Sequence, residues 1–93
     1  MKANGTGQRI ELGQFIVADT KICHGKPTYK GTRIMIWQIL ESLADGESVD
    51  ELVKAWDGRV SRDAILETIR LARNTLLNAQ GRLRQSSLSQ LAA

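Results

Sequence analysis

The segment 48–58 sets the tightest limit on what this chain can fold into. Ser48-Val49-Asp50-Glu51 is a capping box: the serine side chain accepts from a backbone N–H, and Glu51 reaches back to the cap. Val49, Leu52, Val53 and Trp56 then fall at i, i+3, i+4 and i+7, a single apolar stripe, before Asp57-Gly58 breaks the run. A helix of about two turns is not stable alone in water. Its stripe must dock on neighbours, and a chain of 93 residues can build only one modest core for it to dock into.

The flanking sequence supplies two further helices. Thr32 is a candidate N-cap for a helix from about Ile34 to Ala44, with apolar Ile36, Trp37, Leu40, Leu43 and Ala44 and a stop at Gly46. Ser61 caps a third, with Asp63 in the first turn, where the helix dipole favours a negative charge. Ile65, Ile69, Ala72, Leu76 and Ala79 keep one face down to about Gln80, and Gly81 interrupts. Trp37 and Trp56 are expected to anchor the core. The link from Trp56 to Arg62 has the size of a helix-turn-helix turn and contains a glycine.

Ahead of the helices, Phe15-Ile16-Val17-Ala18 predicts a strand and Thr28-Tyr29-Lys30 a second, with His24-Gly25-Lys26-Pro27 as a loop between them. The glycine-rich residues 1–14 are expected to be loosely attached. The expected fold is therefore mainly α. It is a compact tri-helical, helix-turn-helix domain over residues 15–80 with a short N-terminal β arm, followed by a tail or weak fourth helix over 81–93.

Composition narrows the class. Apolar residues make up 42 % and charged residues 25 %, ordinary globular values. The one cysteine, Cys23, cannot form an internal bridge. No run of about 18 apolar residues is present, and the first residues lack the apolar stretch of a signal peptide, so the expected compartment is the cytoplasm, without a membrane. The net charge of +3 is unevenly spread: +4 over residues 1–33, −5 over 34–69 and +4 over 70–93. Two basic ends around an acidic middle suggest a polyanion, a complementary protein or self-association.

No enzyme is expected. His24 and Cys23 are neighbours on an extended segment and point to opposite sides, which does not make a catalytic pair. No metal-ligand spacing is present, and Gly25-Lys26-Pro27 has proline where a P-loop needs Ser or Thr, so neither metal nor cofactor is expected. Nucleic acid is the better candidate. At about 100° per residue, Arg73 lies about 20° and Arg70 about 80° from Arg62 on the third helix. Arg59 stands in the turn just before it. In a helix-turn-helix the second helix enters the major groove, which would bring Ser61 and Arg62 to base edges. Lys26, Lys30 and Arg33 on the arm could hold phosphates. The alternative is a solvated or protein-contacting face, with Arg70 paired to Glu67. Leu66, Leu71 and Leu77 lie off the apolar stripe, and with Leu83, Leu88 and Leu91 they exceed what one small core absorbs. Leu77, Leu83, Leu88 and Leu91 are therefore candidate partner contacts.

The run Ile16-x-x-Asp19, Ile22-Cys23-x-Gly25-Lys26-Pro27, Gly31-Thr32-Arg33-Ile34, Ile39-Leu40, Gly46-x-Ser48 and Glu51-Leu52, continuing through Val60-Ser61 to Ile65, resembles the domain of unknown function 433. That resemblance implies a small helix-turn-helix, homeodomain-like domain. It also implies, for some members, the antitoxin of a type II toxin–antitoxin pair. Such an antitoxin binds its own promoter, is expected to act as a homodimer, and neutralises a toxin similar to a PIN-type ribonuclease. The chain departs from the family pattern at Asp19-Thr20, where Asp-Pro is usual, and at Trp56-Asp57-Gly58, where an aromatic followed by proline is usual. The second reading is a protein-interaction module that binds a toxin or other partner without binding DNA.

Overall fold

The computed structural model describes residues 7–77 and 80–83. Three strands come first: β1 (Arg9–Glu11), β2 (Ile16–Asp19) and β3 (Thr28–Tyr29). They form one antiparallel sheet in the order β1-β2-β3. A short 3-10 turn at Cys23–Gly25 lies between β2 and β3. Three helices follow: α1 (Ile36–Ala44), α2 (Val49–Ala55) and α3 (Arg62–Leu76).

This corrects the expected fold class. The β part is not an arm appended to a tri-helical domain but a three-stranded sheet that forms one wall of the core. Ile16 and Tyr29 from the sheet are buried in the same cluster as Ile34, Ile39, Leu52, Val60, Ala64 and Ile65. In this chain the sheet supplies one layer of the core and the helices the other. The sheet also starts earlier than the composition of the N-terminal segment suggests. Arg9, Ile10 and Glu11 pair with Asp19, Ala18 and Val17. The signal in the sequence is the polar–apolar alternation of Arg9-Ile10-Glu11-Leu12, masked by the surrounding glycines.

The helix boundaries follow from local hydrogen bonding. Ser48 accepts from the Glu51 N–H at 3.1 Å, and the Glu51 carboxylate accepts from the Ser48 N–H at 2.7 Å, so the capping box forms. The Ser48 backbone and hydroxyl together hold the Glu51 carboxyl below its ordinary range. That contribution is present at neutral pH and is lost as the pH falls through the lowered value. Ser48→Ala should cost about 1 kcal/mol, read as a lower midpoint in urea. Ser61 caps α3 in the same way, accepting from the Ala64 N–H at 3.1 Å. Asp57 and Gly58 both take positive φ (55° and 74°), which ends α2 and turns the chain toward α3.

Thr32 does not cap α1. Its hydroxyl donates to the Tyr29 carbonyl and accepts from the Ile34 N–H, which makes a turn. Ile34 and Met35 stay extended because the Tyr29 N–H donates to the Ile34 carbonyl and Thr28 bridges to Met35. The helix therefore begins at Ile36, with Met35 as its N-cap. Its buried line is Ile39 with partly buried Ile36 and Leu43, and Trp37 is turned out at 49 % exposure, not an anchor. Trp56 does pack against the core. On α3 the buried residues are Ala64, Ile65 and Thr68, with Leu71 packed beside them, whereas Ile69 and Leu76 are exposed. The buried stripe runs through a threonine, which a count of apolar spacing passes over.

Candidate nucleic-acid interface

Arg62, Arg70 and Arg73 all stand exposed on α3. Relative to Arg62 at 0°, buried Ala64, Thr68 and Ile65 lie at about 200°, 240° and 300°, so the three arginines occupy the opposite, solvent side. Arg59 is exposed in the turn before the helix. Half-buried Leu66 sits at about 40°, between Arg73 and Arg70.

These arginines differ in what holds them. Arg62 donates to the Asp50 carboxylate at 2.8 Å, linking the first turn of α3 to the first turn of α2. Both side chains are largely exposed, so the pair is weak and open to exchange for another anion. Among the described residues, the Arg73 guanidinium contacts its neighbour Asn74 at 3.3 Å. Among the described residues, no ion pair or hydrogen bond is made by the Arg59 or Arg70 guanidinium. The alternative pairing of Arg70 with Glu67 does not form, because Glu67 is committed elsewhere. Its two carboxylate oxygens accept the backbone N–H groups of Gln14 and Phe15, each at 2.9 Å. Ser61 is exposed, but its hydroxyl is occupied as the helix cap.

The basic residues of the sheet region are divided in the same way. Lys30 is ion-paired to Glu11, which Arg9 also holds, and these two cations keep the Glu11 carboxyl below its ordinary range, Lys30 most strongly. Lys26 and Arg33 are exposed. Cys23, His24 and Gly25 all take positive φ (51°, 58° and 84°), and the Cys23 thiol lies 3.6 Å from the Arg33 carbonyl. That contact ties the strained turn ahead of Lys26 to the backbone of Arg33. The Arg33 guanidinium itself has no ion-pair partner among the described residues.

Of the candidate partner leucines, Leu77 and Leu83 bridge each other as an isolated antiparallel pair after α3. Leu88 and Leu91 lie outside the described residues. Two arrangements leave no trace in the sequence pattern: the Glu67 clamp on residues 14 and 15, and the hydrogen bond of 2.6 Å between the Tyr29 hydroxyl and Thr68 Oγ1. Neither has a local spacing signal, since the partners are separated by 52 or 53 and by 39 positions.

Residues 16–72 match the model of the protein family described as "Protein of unknown function (DUF433)", and the chain belongs to that family. No curated protein and no solved structure matches it. Among the described residues no helix is long and apolar enough to cross a membrane.

Proposed function

We propose that the protein is a DNA-binding, antitoxin-like regulator that contacts its own promoter through the exposed arginine face of α3 and neutralises a PIN-like ribonuclease toxin. One observation carries the DNA-binding part. Arg59 and Arg70 stand exposed with no anionic partner among the described residues, while the acid nearest Arg70 in the helix is turned to the hairpin. An arginine left unpaired beside an exchangeable surface ion pair is suited to a phosphate or to a guanine edge. Arg62 can join by exchanging Asp50 for the nucleic acid, and Arg73 adds charge on the same side. Lys26 and Arg33 would add phosphate contacts, with Lys30 held back by Glu11.

The test is fluorescence anisotropy of the full chain with the upstream DNA of its own gene, over a salt series. Binding should weaken steeply as salt rises. Arg70→Ala with Arg73→Ala should weaken it about tenfold or more and reduce the salt slope by roughly one for each phosphate no longer neutralised. Affinity and slope that stay unchanged would overturn the assignment of α3.

A second reading is favoured by a different observation. Ile69 and Leu76 expose an apolar edge on α3, and exposed Leu83 follows it in the chain. A protein-interaction module would use such an edge, with Leu77, to hold a toxin without DNA. Ile69→Gln with Leu76→Gln, which adds no charge beside Arg73, should then abolish toxin neutralisation and leave any DNA affinity as it was.

A further inference from the structure

The outer edge of β1 carries a self-complementary pattern. The Leu12 N–H donates to the Ile16 carbonyl, and the Thr20 N–H donates to the Gln8 carbonyl. In an antiparallel ladder the residues that bond inward alternate with those that do not. The even-numbered residues of this strand therefore face β2. The N–H and C=O groups of Arg9 and Glu11 point away from the sheet, along an edge that no described strand covers. An open edge is a template for another strand.

We propose that this edge pairs with the same edge of a second copy of the chain, in a two-fold dimer centred on Ile10. Three symmetric antiparallel registers would place outward-facing groups opposite one another. Centring on Arg9 sets arginine against arginine, and centring on Glu11 sets glutamate against glutamate. Centring on Ile10 sets Arg9 against the partner's Glu11 and Glu11 against the partner's Arg9. Opposite charges directly across a ladder stabilise it and like charges destabilise it, so the charges select the third register. In that register Arg9 and the partner's Glu11 exchange backbone hydrogen bonds, and the two copies of Ile10 meet as a close pair.

Two further features fit this occupant. Ile10 is 54 % exposed and Leu12 38 %, on the same face of the sheet as buried Ile16. The apolar side of the sheet thus continues past the helices, to an edge where a second copy would extend it. On the other face, Arg9 contacts Asp19 and Glu11, and Glu11 contacts Lys30. The chain of alternating charges ends at the dyad, where its mirror begins. Each copy uses the same patch, so the contact is isologous and closes at two chains. The inference does not depend on DNA binding.

Sedimentation equilibrium of the full chain over a wide concentration range tests it. The wild type should show a monomer–dimer equilibrium. Arg9→Glu gives an edge with two acids and Glu11→Arg an edge with two arginines, so each alone should dimerise about tenfold or more weakly. Mixing the two variants restores opposite charges at both positions, and the mixture should form heterodimers at least as tightly as the wild type dimerises. Far-UV circular dichroism of each variant checks that the domain is folded. A wild type monomeric throughout overturns the proposal, as do single variants that dimerise as well as wild type. A mixture that associates no better than its components overturns it too, and points to another surface for any self-association.

Discussion

Glu67→Ala should lower the stability of the domain by about 3–4 kcal/mol. The Glu67 carboxylate accepts from both the Gln14 and the Phe15 N–H, at 2.9 Å each, and these bonds fasten the turn between β1 and β2 to α3. Hydrogen bonds to a charged acceptor contribute roughly 1.5–3 kcal/mol each, and the more exposed of the two stands at the low end. The expected result is a fall in the thermal midpoint of roughly 10–20 °C. Glu67→Gln separates charge from geometry. A glutamine has one acceptor oxygen, and its amide N–H₂ would face the second backbone donor, so it should recover less than half of the loss. Gly13 supplies the internal control. A Cβ there would stand 2.5 Å from Glu67 Oε1 and 2.6 Å from its carboxyl carbon, and Gly13 is not one of the glycines at positive φ. Its requirement is space for the carboxylate, not backbone freedom. Gly13→Ala should therefore be costly in the wild type and mild once Glu67 is alanine. Additive costs in that double-mutant cycle would show that the clamp does not hold the turn.

Which parts of the molecule could be read from the chain follows from the range of the forces involved. The capping box at Ser48, the cap at Ser61 and the break at Asp57-Gly58 involve partners within a few residues, so local spacing reveals them. The start of α1 is displaced from its local signal by a distant cause. Thr32 has cap chemistry, but the pairing of Ile34 and Met35 with β3 takes those residues out of the helix. The orientation of α3 is rotated from its apolar count for the same kind of reason. Thr68 counts as polar in sequence, yet its hydroxyl donates to the Ala64 carbonyl at 2.9 Å and meets the Tyr29 hydroxyl, so it is buried without an unsatisfied group. Burying Thr68 turns Ile69 outward. The arginine face is legible because exposure of Arg62, Arg70 and Arg73 needs only the helix period and the knowledge of which side is apolar, and the small rotation does not move them inward. Their availability is not legible, because it depends on Asp50 holding Arg62 and on Glu67 leaving Arg70 unpaired.

The Tyr29–Thr68 contact makes a second large effect, visible at alkaline pH. Tyr29 is 2 % exposed, and burial, with the Glu67 charge adding to it, outweighs the Thr68 hydrogen bond and pushes the phenol up to about 12. Thr68 gives its proton to the Ala64 carbonyl, so the tyrosine is the donor in the contact between them. Ionising the phenol removes that donor and leaves a phenolate in the core. The native state therefore binds this proton more tightly than the unfolded chain, whose tyrosine titrates near 10. The stabilisation is fully present below pH 10 and is lost as the pH rises from about 10 to about 12, a change of about 3 kcal/mol. The protein has one tyrosine, so its absorbance near 295 nm reports this group alone. The phenolate signal should appear near pH 12, or abruptly at a lower pH if the domain unfolds first, and near pH 10 in concentrated urea. Tyr29→Phe should cost about 1–2 kcal/mol at neutral pH and remove this alkaline component of the stability curve. A reversible titration near pH 10 with the fold intact would mean that Tyr29 is not sealed against Thr68, and the link between sheet and α3 would have to be sought in Glu67 alone.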